Sequence, residues 1–218
     1  MNILQTPIVV NEIFYSLQGE TTRTGFPSLF IRLAGCNLNC RWCDTAYART
    51  GCTMTIATIV KKIQQYPLAN HITITGGEPL MQQGTIALLN ILCTHNYPLQ
   101  LETNGSISLE KVPQPVHRIV DVKTPSSGEE KSFNFTNLQL LQPHDEIKFV
   151  IADEVDYNYA KEFIQKYCAT ICCVINFSPV ALTMKPQTLA EYILRDRLPV
   201  RLNVQLHKML WQQEPKDF

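Results

Sequence analysis

The stretch Ser28-Leu-Phe-Ile-Arg-Leu-Ala-Gly35 runs directly into Cys36-Asn-Leu-Asn-Cys40-Arg-Trp-Cys43-Asp44-Thr45. Its first half is apolar, partly β-branched and ends at glycine, which predicts a strand. Its second half sets three cysteines in a C-x3-C-x2-C loop just past that strand. Three thiolates on one short loop can hold a metal centre. The odd number matters. A four-iron cluster takes four ligands, so three cysteines leave one iron open. Zinc follows the same logic, since a structural site is closed by four ligands and a catalytic one keeps an open position. The loop therefore argues for chemistry at a metal rather than a staple. Its spacing alone leaves two readings open, an iron–sulfur cluster or a zinc knuckle completed by a residue such as His71 or His95.

Outward from this stretch, strand and helix patterns alternate. Helical spacing of Ile56, Ile59, Val60 and Ile63 predicts a helix over 55–66, capped by Thr53 or Thr55. Residues 71–75 read as a strand entering Gly76-Gly77-Glu78-Pro79, and 80–93 as a second helix. Strands follow at 98–103, 117–123 and 146–151, and a helix at 154–167 with Val155, Tyr159, Phe163 and Ile164 on one side. A strand at 170–177, a helix at 187–195 and a last strand at 200–205 complete the chain. The polar segment 128–144 reads as a loop insertion with one helical turn at most. Such alternation implies an α/β fold with a parallel sheet and right-handed crossovers. About six parallel strands fall short of the eight of a closed barrel, so the expectation is one domain over 1–218, an open, partial TIM-like barrel. The polar and glycine motifs fall repeatedly at strand C-terminal ends, the edge where parallel sheets place their sites.

Composition narrows the function classes. The 218 residues carry 19 Lys+Arg against 19 Asp+Glu, so net charge gives no general case for nucleic acid or a membrane surface. No stretch is long and apolar enough to span a bilayer, and the first residues lack a basic-then-apolar leader pattern, so a cytoplasmic location is expected. Eight cysteines are many for that compartment, where clustered thiols read as metal-binding or catalytic. Cys52, Cys93, Cys168, Cys172 and Cys173 are expected in the core as small hydrophobes.

The cysteine loop followed by Gly76-Gly77-Glu78-Pro79 resembles the signature of radical S-adenosylmethionine enzymes. Ser16-Leu17-Gln18-Gly19-Glu20, Phe30-Ile31-Arg32-Leu33, Trp42-Cys43-Asp44-Thr45, residues 73–79 and Glu102-Thr103-Asn104-Gly105 are similar, within that superfamily, to the 7-carboxy-7-deazaguanine synthase family. The resemblance covers nearly the whole chain. It departs at Thr21, where many members carry glycine. A threonine there costs about 1 kcal/mol or more if the turn needs a positive φ.

What the resemblance implies is a radical SAM core. It turns 6-carboxy-5,6,7,8-tetrahydropterin into 7-carboxy-7-deazaguanine with loss of ammonia, on the route to 7-deazapurines such as queuosine. Cys36, Cys40 and Cys43 would ligate a 4Fe-4S cluster that gives one electron to S-adenosyl-L-methionine. Trp42, Asp44, Gly76, Gly77, Glu78, Lys123, Ser126, Phe177 and Ser178 would contact that cofactor. Leu17, Gln18, Gly19, Glu20, Arg32, Thr75 and Phe218 would contact the substrate, and Thr45 would be the protein ligand to Mg2+. Arg32 suits a carboxylate, since guanidinium forks onto it, and alternation within FIRLAG turns it toward the barrel. Glu20 suits the amino and ring N–H donors of a pterin. His207 and Lys208 stand where either the site or a dimer surface could use them. The resemblance also implies a homodimer and an external electron donor such as flavodoxin or ferredoxin. The alternatives are a glycyl-radical-enzyme activase, or an iron–sulfur or zinc protein without catalysis.

Overall fold

The computed structural model describes residues 2–66 and 71–211. Among them one sheet runs in the order β3 (Cys52–Thr55), β1 (Pro7–Leu17), β2 (Pro27–Leu33), β4 (Ile72–Gly76), β5 (Leu99–Thr103), β6 (His117–Val122), β7 (Glu146–Ile151), β8 (Val174–Pro179) and β9 (Arg201–Leu202). From β2 to β9 every pairing is parallel, while β1 lies antiparallel to both β2 and β3. β3 and β9 are the edges, so the sheet does not close and the open barrel expected from the alternation is present.

The antiparallel edge was not expected. β1 shifts register against β2 between Val10 and Glu12; its first residues, Pro7 to Val10, pair with β3, and β2 pairs with Val10 and again from Glu12 onward. A bulge breaks the apolar alternation by which a strand is recognised. The last strand is shorter than 200–205 and ends beside Asn203, whose N–H still bonds Phe177 C=O. The Asn203 side chain accepts from the Thr21 N–H and donates to Ser178 Oγ. A short helix, α5 (Leu206–Leu210), follows.

Alternation along the parallel strands divides two layers. Ile72 and Ile74 of β4, Leu99 and Leu101 of β5, and Ile147, Phe149 and Ile151 of β7 face the helices and are fully buried. Against them pack α1 (Ile56–Ile63), α2 (Gly84–Thr94), α3 (Glu154–Tyr167) and α4 (Pro186–Asp196), through Ile59, Leu88, Leu92, Phe163 and Leu189 among others. Each such side chain contributes about 1.5–3 kcal/mol by leaving water. The intervening residues, Thr73, Thr75, Gln100, Glu102, Asp121 and Lys148, point into the barrel.

Most boundaries follow the sequence, and the exceptions have local causes. Thr55 caps α1 by accepting from the Thr58 N–H. α2 starts at Gly84 rather than residue 80, because Pro79–Met81 is a separate 3-10 turn. Gln82 then turns aside to stitch β1 to the end of β2, bonding Val9 N–H, Val9 C=O and Ala34 C=O. α3 is rotated from the expected face, with Val155 63% exposed and Asp156, Tyr157, Ala160, Phe163 and Ile164 buried. Asp156 sets that rotation by accepting from the Ser126 and Ala152 N–H groups. β8 begins four residues later than expected, since Ile171 N–H still closes a turn on Cys168 C=O. Cys52 and Cys172 are exposed, not core, while Cys168 is buried.

Thr21 has φ +71°, the left-handed conformation that a β-branched residue resists. It is also buried, and its Oγ1 accepts from the Arg23 N–H two residues on. Asparagine tolerates this conformation and can accept at the same i+2 position. Thr21→Asn is therefore expected to stabilise the protein by about 0.5–1 kcal/mol. A denaturant midpoint at or below wild type would contradict the strain.

Candidate active site

Loops at the C-terminal ends of the parallel strands and the ends of β1 enclose one cavity of about 270 Å3. The cysteine loop forms one wall. Leu33, at the end of β2, and Gly35 accept from Gly77 N–H and Glu78 N–H, so this loop and the Gly76–Pro79 loop pack backbone against backbone. A Cβ on Gly77 would stand 2.0 Å from the Gly35 carbonyl oxygen, and glycine is what allows the approach. Cys36, Cys40 and Cys43 all line the cavity. Cys36 Sγ accepts from Leu38 N–H at 3.4 Å and from Asn104 Nδ2 at 3.9 Å, and Cys43 Sγ lies 3.7 Å from Thr45 Oγ1. Burial pushes the Cys40 thiol up, with Lys123 opposing. Trp42 donates its indole N–H to Ser126 Oγ at 2.9 Å, and the Lys123 ammonium sits over its ring.

The opposite wall is charged. Glu20 Oε2 accepts from Lys148 Nζ at 2.9 Å, and its Oε1 accepts from Gln205 Nε2. Gln18 Nε2 donates to Glu102 Oε1 at 3.1 Å, and Thr75 Oγ1 donates to Glu102 Oε2 at 2.8 Å. Asp121 Oδ2 is 3.1 Å from Lys123 Nζ and 3.6 Å from Lys148 Nζ. Asp121 Oδ1 is buried without a hydrogen-bond partner among the described residues. Farther along, Arg32 Nε donates to Glu12 Oε1 at 2.6 Å, and its guanidinium stands over Phe14 and Tyr47. Phe14 and Phe30 stack with ring centroids 4.9 Å apart and form an apolar wall beside it.

α5 covers this arrangement. Leu206 N–H bonds Gly19 C=O, and Lys208 Nζ pairs with Asp44 Oδ2 at 2.9 Å. His207 packs so closely on Gly19 that a Cβ there would fall 1.9 Å from its Nδ1. His207 and Lys208 thus belong to the site.

Burial alone would raise the Glu20 carboxyl, but Lys148 and Gln205 more than offset it, leaving it below the ordinary value of 4.5. Glu146, buried beneath and bonded to His117 and Thr22, is lowered against the same burial. Carboxylates depressed in the fold contribute stability that is complete above about pH 4.5 and is lost as pH falls through their lowered values. Acid unfolding followed by circular dichroism should therefore show lost stability below about pH 4.5. In Glu20→Gln that part of the loss should shrink, and an unchanged acid limb would contradict the pairing.

The cavity thus gathers Cys36, Cys40, Cys43, Trp42, Asp44, Thr45, Gly76, Gly77 and Lys123 of the expected cluster, cofactor and magnesium groups. It also gathers Leu17, Gln18, Gly19, Glu20, Arg32 and Thr75 of the expected substrate group. Four expected contacts turn elsewhere. Glu78 is fully buried, accepting from Leu80 N–H, Thr103 Oγ1 and Asn104 N–H. Ser126 braces Trp42 against Asp156. Phe177 pairs with Phe149 across β7 and β8, on the face turned to the helices. Ser178 Oγ is occupied by Asn203. Phe218 lies outside the described residues. Glu102, Asp121 and Lys148 were missed as individual site residues. Their signal was a charge at the alternate position of a strand otherwise buried on both faces.

These walls fit the implied cofactors. Three free thiols face one cavity, one sulfur already receiving N–H donors as cluster ligands do. Among the described residues no three His, Cys, Asp or Glu side chains gather at single-ion distances.

Comparison with known proteins agrees with this architecture. The model of the radical SAM superfamily matches residues 30–168 and defines the class, a radical S-adenosylmethionine protein with its 4Fe-4S cluster. The 7-carboxy-7-deazaguanine synthase of Chlorobaculum tepidum is 44% identical over 97% of this chain and 98% of its own length. That of Koribacter versatilis is 42% identical over 95% and 98%. The chain belongs to the 7-carboxy-7-deazaguanine synthase family. Its fold matches the crystal structure of QueE from Escherichia coli with a TM-score of 0.78, over 95% of this chain and 99% of that one, at 23% identity.

Proposed function

We propose that the protein converts 6-carboxy-5,6,7,8-tetrahydropterin to 7-carboxy-7-deazaguanine with release of ammonia, in 7-deazapurine and queuosine biosynthesis. One observation carries the reading: a single cavity has the three cysteines on one wall and Arg32, Glu20 and Gln18 on the others. When bound, the cluster and S-adenosylmethionine supply the one-electron reduction and the hydrogen-abstracting radical.

The chain's own residues bind, orient and shield. Cys36, Cys40 and Cys43 hold three irons. Lys123, over Trp42, stands beside the cluster loop as a cation for the cofactor's carboxylate. Asp44, Gly76 and Gly77 shape the cofactor end. Glu78, Ser126, Phe177 and Ser178 act by fixing the loops and strands around it. Arg32, its Nε engaged by Glu12, presents its remaining N–H groups to the substrate carboxylate. Phe14 and Phe30 pack on the ring, and Glu20 accepts from the pterin's amino and ring N–H groups. Leu17, Gly19 and Thr75 close the same end. Thr45 would be the protein ligand to Mg2+, an ion that takes few protein ligands and keeps waters. The working protein is a cytoplasmic homodimer reduced by a flavodoxin or ferredoxin. No helix among the described residues is long and apolar enough to cross a membrane.

The test is a turnover with anaerobically reconstituted protein, Mg2+, a reductant and substrate deuterated at the carboxylate-bearing carbon. The expected result is 7-carboxy-7-deazaguanine with deuterium in 5′-deoxyadenosine. A colourless zinc protein, or label retained wholly in product or solvent, would overturn the reading.

A further inference from the structure

Lys148 lies at the middle of β7 on its inward face, with its side chain 14% exposed. Its ammonium touches Glu20 at 2.9 Å and Asp121 at 3.6 Å, and Glu102 of β5 acts on it from farther off. A buried cation is retained at such a place only when carboxylates repay its lost hydration. The two carboxylates of the substrate wall differ in what they have left to offer. Each carboxylate oxygen has about two acceptor sites. Glu102 Oε1 already accepts from Gln18 and Gln100, and its Oε2 accepts from Thr75. Glu20 has one partner on each oxygen, Lys148 on Oε2 and Gln205 on Oε1. One site per oxygen therefore stays open on Glu20, the pattern that meets two parallel N–H donors.

We propose that Lys148 is a positioning residue for substrate recognition. It fixes the Glu20 carboxylate so that its two open sites face the adjacent amino and ring N–H groups of the pterin. The inference rests on the substrate reading given above. Other charged groups face the same pair: His207 from α5 and Asp44 from the cysteine loop toward Glu20, and Lys123 toward Lys148. Among these cations Lys148 makes the direct contact with the Glu20 carboxylate. Without it, burial would favour the protonated acid, which loses one of the two acceptors.

The experiment measures binding of pterin-6-carboxylate, an unreactive oxidised analogue, to the reconstituted holoenzyme between about pH 5.5 and 7.5. Wild-type affinity should be nearly flat over that range. Lys148→Met should bind about 10- to 100-fold more weakly at the acid end and recover as pH rises, with Lys148→Arg close to wild type. S-adenosylmethionine affinity, measured in parallel, should stay within about threefold. Wild-type affinity in Lys148→Met would overturn the proposal. So would a loss equal at every pH and shared by S-adenosylmethionine, since that marks a purely structural residue. Should Lys148→Met not fold, the double variant Lys148→Met with Glu20→Gln removes both charges. It should bind the analogue weakly and without pH dependence, and undiminished binding there would be fatal. Failure of the unaltered holoenzyme to bind the analogue, with S-adenosylmethionine still bound, would overturn the substrate reading and this inference together. It is distinguished by appearing in wild type.

Discussion

Glu78→Ala is expected to lower the unfolding free energy by about 3–6 kcal/mol, a large share of the roughly 5–15 kcal/mol that holds a typical domain. Glu78 is fully buried, and three donors end on it: Leu80 N–H at 2.9 Å, Thr103 Oγ1 at 2.8 Å and Asn104 N–H at 2.7 Å. Alanine would leave all three without that partner, the Thr103 and Asn104 donors buried and the Leu80 N–H partly so, each costing about 1–3 kcal/mol. These bonds clasp the loop after β4 to the loop after β5, and Asn104 in turn reaches Cys36. The loss should therefore reach the cluster loop as well as global stability. Glu78→Gln keeps a carbonyl acceptor and spares the buried charge, whose carboxyl burial already pushes above its ordinary range. It should recover about half of the loss. Urea unfolding of both variants decides it, and an alanine variant within about 1 kcal/mol of wild type would remove Glu78 from this role.

Cys40→Ala, Cys36→Ala or Cys43→Ala should each abolish turnover while leaving the fold in place. The three thiols line the cavity rather than the core, so their removal leaves no large void, and stability should change by about 1 kcal/mol or less. Iron content after anaerobic reconstitution should fall with activity. By contrast Cys52→Ala, at an exposed position on β3, should keep both. Full activity in any of the three cluster variants would mean the cluster is held elsewhere.

The layer that faces the helices was legible because apolar residues mark it in every parallel strand. The cysteine loop and the glycine turns were legible because they punctuate strand ends. What escaped had physical causes of two kinds. β1 hides behind its bulge and pairs antiparallel, so neither strict alternation nor the strand–helix rhythm announces it. Ser126, Phe177, Ser178 and Glu78 sit at the right loops and strand ends, but motif position does not say which way a side chain turns. The register of β7 on β8 and the two-loop clasp decide that, and both are contacts across the chain. Glu102, Asp121 and Lys148 were visible as lone charges in apolar strands. Naming their partners needed the strand order.

The bonds of Gln205 with Glu20 and Lys208 with Asp44 join residues 185 and 164 positions apart in the chain. During vectorial synthesis the cysteine loop therefore leaves the ribosome well before the segment that covers it. The order of the sequence itself thus places the making of the cysteine loop ahead of the making of its cover, and a circular permutant that brings α5 ahead of the cysteine loop would reverse that order.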